Sequence, residues 1–65
     1  MFKNLKAEMA RHSITMDKLS ENLNLPRASV YNRLSGKTEF KVSEVQIILS
    51  MFPSLSYEYI FEKSE

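Results

Sequence analysis

A chain of 65 residues with one histidine and no cysteine corresponds to one small domain, residues 1–65, that has neither a disulfide nor the thiolate ligands of a structural zinc site. Hydrophobic residues make up 43% of the sequence, which is enough for a small core. No apolar run reaches the roughly 18 residues that span a bilayer, and no leader segment is expected, so we expect a cytoplasmic protein without membrane contact. The net charge of +1 is unevenly distributed along the chain. Residues 1–41 carry eight basic and four acidic residues, a charge of +4, whereas residues 42–65 carry one basic and four acidic residues, a charge of −3. The positive charge of residues 1–41 favours an anionic partner for that part of the chain.

Helical spacing of apolar residues recurs along the chain. No stretch shows the strict alternation of a strand or the Asn-Gly and Asp-Gly pairs that mark β-hairpins. Phe2, Leu5 and Met9 predict a first amphipathic helix that ends near Arg11, and the segment 12–14 then breaks the pattern. The predicted fold class is therefore all-α.

The second and third predicted helices are short, and a tight turn joins them. Thr15 has the hydroxyl of an N-cap, and the second helix ends near Asn24, which tolerates the left-handed conformation of a sharp turn. Pro26 begins the third helix, about 27–34, because a helix start needs no amide donor from it. Gly36 follows the end of that helix, where glycine is the preferred residue.

A fourth helix and a short fifth helix are predicted after the linker that holds Phe40, a candidate hydrophobic plug. The fourth helix ends at Pro53, which cannot continue it. Its apolar residues at helical spacing are Val42, Val45, Ile48, Leu49 and Phe52. Ser56 has the hydroxyl to cap the last helix. The apolar residues of that helix are Tyr57, Tyr59, Ile60 and Phe61.

Residues 15–37 (TMDKLSENLNLPRASVYNRLSGK) form the most informative unit of the sequence. The residues predicted to pack its two helices against each other are Leu19, Leu23, Leu25, Val30 and Leu34. That packing lets the second helix of the unit protrude, with its first turn and outer face accessible. A short protruding helix fits the major groove of DNA, which is about 12 Å wide.

The unit resembles the helix-turn-helix of the lambda-repressor/Cro-like family, also called XRE-type regulators. The residues that carry the resemblance are Thr15, Leu19-Ser20, Asn24-Leu25, Val30 and Leu34-Ser35-Gly36-Lys37. Outside the unit, residues 40–45 (FKVSEV) look like the entry to the family's fourth helix, and residues 56–61 (SYEYIF) look like its Ser-Leu-Asp-Glu-Leu-Phe ending. The resemblance implies a compact five-helix lambda-repressor-like DNA-binding domain with the helix-turn-helix at about 15–36.

The resemblance also implies a sequence-specific transcriptional regulator of the small phage or mobile-element kind, a repressor that binds a double-stranded DNA operator. Four residues depart from the family pattern, the mildest departure being Asn24 in place of Gly at the turn. Met16 stands where a Gln commonly braces the recognition helix and touches phosphate, and Pro26 replaces a Ser or Thr cap that could bond phosphate. Arg33 stands where many members have a buried apolar residue, and Leu34 is expected to take over that packing role.

The outer face of the third helix offers side chains suited to reading bases. Arg27 can fork onto guanine O6 and N7, and Asn32 can pair with adenine N6 and N7. Ala28 can touch a thymine methyl, while Tyr31 reaches a base or the sugar-phosphate edge, or only covers the joint between the helices. The alternative for Arg27 and Asn32 is an ordinary solvent-facing side chain, and the alternative for Ala28 is a residue that only favours the helix.

Residues around this face are predicted to hold DNA phosphates. The candidates are Thr15, Lys18, Arg33, Ser35 and Lys37. Thr15 and Lys18 stand at the start of the second helix, where the positive helix end attracts anions, and Arg33 and Lys37 flank the end of the third. Such contacts position a protein on DNA without reading the sequence.

The last part of the chain is dense in apolar and aromatic residues for so small a domain. The candidates for a two-fold interface between copies are Phe52, Leu55, Tyr57, Tyr59 and Phe61. A homodimer would place two recognition helices about 34 Å apart, one turn of DNA. The alternative is that all of these residues are buried within the monomer.

Other function classes have weaker support in the sequence. His12 has no nucleophile or acid partner at a recognisable spacing, so an enzyme is not expected, and no cofactor, metal or small-molecule ligand is indicated. The weak net charge, Met16 and the aromatic tail favour the main alternative, a helix-turn-helix fold used as an antirepressor-like or antitoxin-like protein-interaction module. A nucleoid-associated factor is a third alternative.

Overall fold

The computed structural model describes residues 2–63, which form five α-helices and contain no β-strand. The helices are α1 (Lys3–Arg11), α2 (Met16–Leu23), α3 (Arg27–Leu34), α4 (Val42–Met51) and α5 (Tyr57–Ile60). The predicted all-α class is confirmed. The radius of gyration is 10.6 Å, close to the roughly 11 Å of a compact chain of this length.

Two of the helix starts are held by hydroxyl caps at the predicted residues. The Thr15 hydroxyl accepts from the backbone N–H of Lys18 at 3.1 Å, and the Ser56 hydroxyl accepts from the N–H of Tyr59 at 3.2 Å. Each hydroxyl satisfies one of the amides that have no carbonyl partner within the helix. These caps place the starts of α2 and α5 by local chemistry alone.

The first three helices end in the same way, at a residue in the left-handed conformation. Ser13 has φ 58°, Asn24 φ 57° and Gly36 φ 89°. In each case the following N–H donates to a carbonyl five residues earlier, at 2.7, 3.0 and 2.9 Å respectively. This is the hydrogen bond of the Schellman motif, which reverses the chain sharply and satisfies a terminal carbonyl. Asn24 and Gly36 were predicted for this role, whereas Ser13 was not.

We expect Ser13→Gly to raise the free energy of unfolding by about 0.5–1 kcal/mol, because glycine adopts the left-handed conformation without the Cβ clash of serine. The measurement is urea unfolding followed by circular dichroism. Ser50→Gly is the matched control, since exposed Ser50 lies inside α4, where glycine is expected to lower the free energy of unfolding by about 0.5 kcal/mol. A destabilising effect at both positions would contradict the prediction.

The core is assembled from all five helices, from Phe2 before α1 and from Phe52 after α4. Its buried apolar residues are Phe2, Leu5, Met9, Leu19, Leu23, Val30, Leu34, Ile48, Phe52 and Ile60. Helix α2 packs against α3 and α4, and α1 packs against α5. All of the residues predicted to pack α2 against α3 lie in or against this core, Leu25 being half-buried.

Val42, one of the apolar residues whose spacing predicted α4, lies outside the core. Val42 is 74% exposed, whereas Glu44, Ile48 and Phe52 are buried. Those three buried positions are four apart and lie on one side of the helix, so Val42 points about 120° away from their centre. Because Glu44 has a partner inside the fold, the buried face of α4 includes a charged residue and leaves a valine in solvent.

The predicted plug at Phe40 belongs to an aromatic cluster next to the core. The ring centroids of Phe40, Phe2 and Phe61 lie 5.5–5.6 Å from one another, with tilted and edge-on geometries that suit aromatic pairs. Tyr57 stacks on the outside, with its centroid 5.3 Å from that of Phe61. The cluster ties the start of α1 and the loop before α4 to the end of α5.

Candidate nucleic-acid interface

Helix α3 has one face in the core and the opposite face in solvent. Its buried residues are Val30, Arg33 and Leu34. Arg27, Ala28 and Tyr31 are exposed, and Asn32 is half-buried. At 100° per residue, Ala28 and Asn32 lie nearly opposite the buried side, with Arg27 and Tyr31 on the flank nearer α1 and α2. The structure thus brings the four base-reading candidates to one side of α3, and their contact with DNA stays a prediction.

The turn before α3 sets the angle at which this helix leaves α2. Asn24 reverses the chain, the N–H of Leu25 donates to the Ser20 carbonyl at 3.0 Å, and the Leu25 side chain packs against the core. Pro26 follows with φ −62° as the N-cap and has no side-chain acceptor. The amides in the first turn of α3 therefore have no side-chain cap, and this turn keeps its positive character towards solvent.

Arg27 is held by an ion pair that the sequence reading missed. Its Nε lies 3.1 Å from Oδ1 of Asp17, in the first turn of α2. Both side chains are exposed, so the pair adds little to stability, but it restricts the direction of the guanidinium. No spacing rule within one helix links residues 17 and 27, because the pair forms across the turn between two helices.

Four of the predicted phosphate residues are exposed near the ends of α2 and α3. The Thr15 hydroxyl serves as the cap of α2, and the Lys18 ammonium lies 3.7 Å from Glu21 in the same helix. The Ser35 hydroxyl donates to the carbonyl of Asn32 at 3.1 Å. Lys37 lies just beyond the end of α3 and has no ion-pair partner within residues 2–63. Lys37 is thus the candidate whose charge is not already matched.

Arg33, the fifth predicted phosphate residue, belongs to the interior. It is 9% exposed, its Nε donates to Oε1 of Glu44 at 2.8 Å, and its Nη1 donates to the Ser29 carbonyl at 3.3 Å. A guanidinium that is paired inside the fold would have to lose its carboxylate before reaching a phosphate, which is costly. We therefore leave Arg33 out of the interface and assign it to the joint between α3 and α4.

Glu44 is the centre of that joint. The same oxygen that meets Arg33 also accepts from the backbone N–H of Lys41 at 2.9 Å, at the start of α4. Burial raises the pKa of the Glu44 carboxyl, but the hydrogen bond from Lys41 and the Arg33 guanidinium outweigh it and hold that pKa below its usual value. Glu44 is therefore ionised at neutral pH and fixes α3 to the first turn of α4.

A second buried carboxylate, which the sequence reading also missed, joins α1 to α5. Glu8 is 2% exposed; it pairs with Arg11, lies 3.5 Å from Nε2 of His12 and accepts from the Tyr59 hydroxyl at 2.9 Å. The carboxylate of Glu8 raises the pKa of Tyr59, because losing the proton would leave two anions in contact. The spacing of Glu8 and Arg11 signals a helical pair, but the distant partner Tyr59 follows only from the fold.

The candidates for an interface between copies divide into two groups. Phe52 is 2% exposed and packs in the core, where the His12 ring meets it edge-on at 5.3 Å, so it is not available to a second copy. Phe61 is half-buried in the aromatic cluster. Tyr57 is 53% exposed, Tyr59 is also exposed and Leu55 is half-buried. Tyr57 and Tyr59 are thus the exposed members of the predicted self-interface, whereas Leu55 and Phe61 are both half-buried against the core.

Many of the positive charges in residues 1–41 are paired with carboxylates, so fewer of them are free to meet an anionic partner. Within residues 2–63, half of those eight cations lie in ion pairs, namely Arg11, Lys18, Arg27 and Arg33. No such partner is found there for Lys3, Lys6, Lys37 and Lys41. Lys6 is notable because it lies beside α3, where it borders a groove together with Arg27 and Tyr31. Its position on α1 gave no sign of this in the sequence.

Neither a metal-binding cluster nor a membrane-spanning helix is found in the part of the chain that the structure describes. Residues 2–63 contain no group of three or more histidine, cysteine, aspartate or glutamate side chains placed to hold a metal ion. None of the helices within that range has the length and hydropathy required to cross a membrane.

No protein-family model, curated protein or solved structure matches this chain. Its function must therefore be inferred from its own side chains and their geometry.

Proposed function

We propose that this chain is a sequence-specific, cytoplasmic transcriptional regulator that binds a double-stranded DNA operator as a repressor. In this proposal the fold is lambda-repressor-like, residues 15–36 form its helix-turn-helix, and α3 is the recognition helix. The observation that carries the proposal is the amphipathic placement of α3, with Val30 and Leu34 in the core and Arg27, Ala28 and Tyr31 in solvent. The major groove admits an α-helix presented in this way.

The charges around α3 support the same proposal. The first turn of α3 has no side-chain cap, Lys37 lies three residues beyond the end of α3, and Lys18 lies in the first turn of α2, the other helix of the proposed helix-turn-helix. Backbone amides at helix starts and lysine ammonium groups are the usual ligands of DNA phosphates. Glu44 and Arg33 hold α3 against α4 from behind, so the exposed face is presented on a fixed support.

The proposed functional unit is a homodimer, because one small domain makes few contacts with DNA. The exposed side chains of Tyr57 and Tyr59, with half-buried Leu55, support an interface at this end of the molecule. Two copies related by a two-fold axis would present two α3 helices to half-sites one helical turn apart.

The test of the proposal is selection of preferred duplexes from a random DNA library with the full chain. A recovered consensus with two-fold symmetry and half-sites about 10 base pairs apart is expected. Fluorescence anisotropy with the recovered duplex then gives the affinity at several salt concentrations. Failure to enrich any sequence, together with no salt-sensitive binding to DNA, would overturn the proposal and favour a protein-interaction module instead.

We expect Lys37→Ala to weaken binding about equally for the selected duplex and for an unrelated one. The slope of log K against log salt is expected to fall by about 1, as for the loss of one phosphate contact per bound chain. Lys3→Ala is the matched control, because Lys3 is exposed at the start of α1 and, like Lys37, has no ion-pair partner within residues 2–63. An unchanged slope for Lys37→Ala, or an equal change in both variants, would remove Lys37 from the interface.

Asp17→Asn is expected to raise affinity for unrelated DNA severalfold and to reduce discrimination at the base pair that Arg27 reads. The first effect follows from the loss of a negative charge beside the interface, and the second from the loss of the restraint on the Arg27 guanidinium. Glu21→Gln is the matched control, because it removes the same charge from the same helix at a residue that pairs with Lys18 and not with Arg27. If both variants discriminate bases equally well, Asp17 does not orient Arg27.

A further inference from the structure

An open groove lies between α1, α2 and α3, on the flank of α3 that carries Arg27 and Tyr31. Its volume is about 530 Å³, and its lining residues are Lys6, Met16, Arg27, Tyr31, Leu34 and Ser35. Small-molecule sites have volumes of roughly 300–1,000 Å³. The groove is thus large enough for an organic molecule, although the sequence indicated no such ligand.

The chemistry of the lining is sharply divided. Met16, Leu34 and the ring of Tyr31 provide an apolar surface, because Met16 and Leu34 belong to the edge of the core. The charged residues among the lining are Lys6 and Arg27, both basic, and no carboxylate residue lines the groove. A ligand that buries an apolar body and presents one negative charge would match both parts of this surface.

Lys6 is the stronger of the two cations for this purpose. Arg27 already pairs with Asp17 through Nε, whereas Lys6 has no ion-pair partner within residues 2–63. Lys6 is also exposed, so its ammonium is accessible to an arriving anion. The charge of the groove is therefore uncompensated on the α1 side.

We propose that this groove binds a small amphipathic anion, an aliphatic or aromatic carboxylate whose apolar body packs on Met16, Tyr31 and Leu34 and whose carboxylate pairs with Lys6. Binding of this anion goes beyond DNA binding and does not depend on it, whereas release of DNA by the anion rests on the proposed function. The ligand and DNA would exclude each other, since Arg27, Tyr31 and Ser35 belong to the groove and also lie on or beside the surface proposed for DNA. The site is therefore placed where a small carboxylate would act as a releasing effector.

The test is a titration of the full chain with octanoate, followed by two-dimensional ¹H–¹⁵N NMR without any DNA. Saturable shifts are expected at residues that line the groove, and octanol, which has the same apolar chain without the charge, is expected to bind about fivefold to tenfold more weakly. Lys6→Glu is expected to weaken octanoate binding by at least about tenfold. Lys3→Glu, an equal charge change at an exposed residue of α1 outside the groove lining, is expected to change it less than about twofold.

Each other outcome overturns the proposal. No saturation, shifts scattered away from the groove, or equal binding of octanoate and octanol would show that the groove selects no anion. An equal effect of Lys6→Glu and Lys3→Glu would show a response to net charge alone. Lys6→Gln provides the same comparison without charge reversal if Lys6→Glu disturbs the spectrum of the unliganded chain. Because DNA is absent, failure here leaves the proposed regulator function standing, and failure of DNA binding leaves this site standing.

Discussion

Replacing Arg27 with alanine is expected to weaken binding to the selected duplex by about tenfold to a hundredfold and to abolish the preference at one base pair of each half-site. A forked pair between a guanidinium and a guanine contributes about 1–3 kcal/mol of discrimination. Arg27 is exposed at the start of α3 and is held from one side by Asp17, so truncating it removes no core packing. Affinity for unrelated DNA is expected to fall much less.

The variant Arg27→Lys distinguishes recognition of a base by the guanidinium from non-specific attraction between a positive charge and DNA. Lysine keeps the positive charge but lacks the planar fork, so this variant should retain affinity for unrelated DNA and still lose most of the base preference. Both variants are compared with wild type by anisotropy on the selected duplex and on a duplex altered at the affected base pair. Full discrimination in Arg27→Lys or Arg27→Ala would mean that another residue of α3 reads that base pair, and the assignment to Arg27 would be wrong.

The largest expected effect on stability lies at the joint between α3 and α4. Glu44→Ala leaves the Arg33 guanidinium buried without its carboxylate and removes the acceptor for the Lys41 amide. Breaking a buried pair from one side costs about 3–5 kcal/mol. A chain of this length is stable by only about 3–10 kcal/mol in total. Glu44→Ala is therefore expected to be marginally folded or unfolded at room temperature, as measured by urea titration.

A double variant distinguishes an unpaired charge from lost packing. In Arg33→Met with Glu44→Leu, apolar side chains of similar size replace both charges, so no buried ion remains. This variant is expected to recover most of the loss and to stay about 1 kcal/mol below wild type, because the Lys41 amide still lacks its acceptor. A double variant as unstable as Glu44→Ala would show that the specific ion pair, and not the avoidance of an unpaired charge, stabilises the joint.

Low pH is expected to destabilise the fold by protonating the carboxyl of Glu44. The pKa of Glu44 is lower in the folded chain than its ordinary value of 4.5, so its contribution to stability is complete above that value and is lost as the pH falls through the folded pKa. Below about pH 4, wild type should therefore lose more stability per pH unit than Glu44→Gln. Glu58→Gln, at an exposed residue of α5, should follow wild type. Parallel curves for wild type and Glu44→Gln would contradict this role.

The sequence by itself was sufficient to predict where most helices begin and end. Thr15 and Ser56 act as caps, Asn24 and Gly36 adopt left-handed conformations, and Pro26 precedes α3. These features depend on hydrogen bonds and dihedral angles among residues a few positions apart, so neighbouring letters determine them. The left-handed conformation of Ser13 was not predicted, because serine seldom has a positive φ. Only the geometry of the turn after α1 requires that conformation at this position.

Tertiary structure alone decided which polar groups are buried and which apolar ones are not. Arg33 meets Glu44 eleven residues away, and Glu8 meets Tyr59 across fifty-one residues, pairs that no helical spacing rule specifies. Those pairs turn charged residues inward, and with Glu44 on its inner face α4 leaves Val42 in solvent. The same packing brings Lys6 of α1 and Met16 of α2 beside α3, which creates the groove. The periodicity of apolar residues in a sequence indicates which face of a helix is apolar and which is polar. It does not indicate which helix each face packs against. That neighbour, and the charge that a buried residue must pair with, are determined only when the helices pack together.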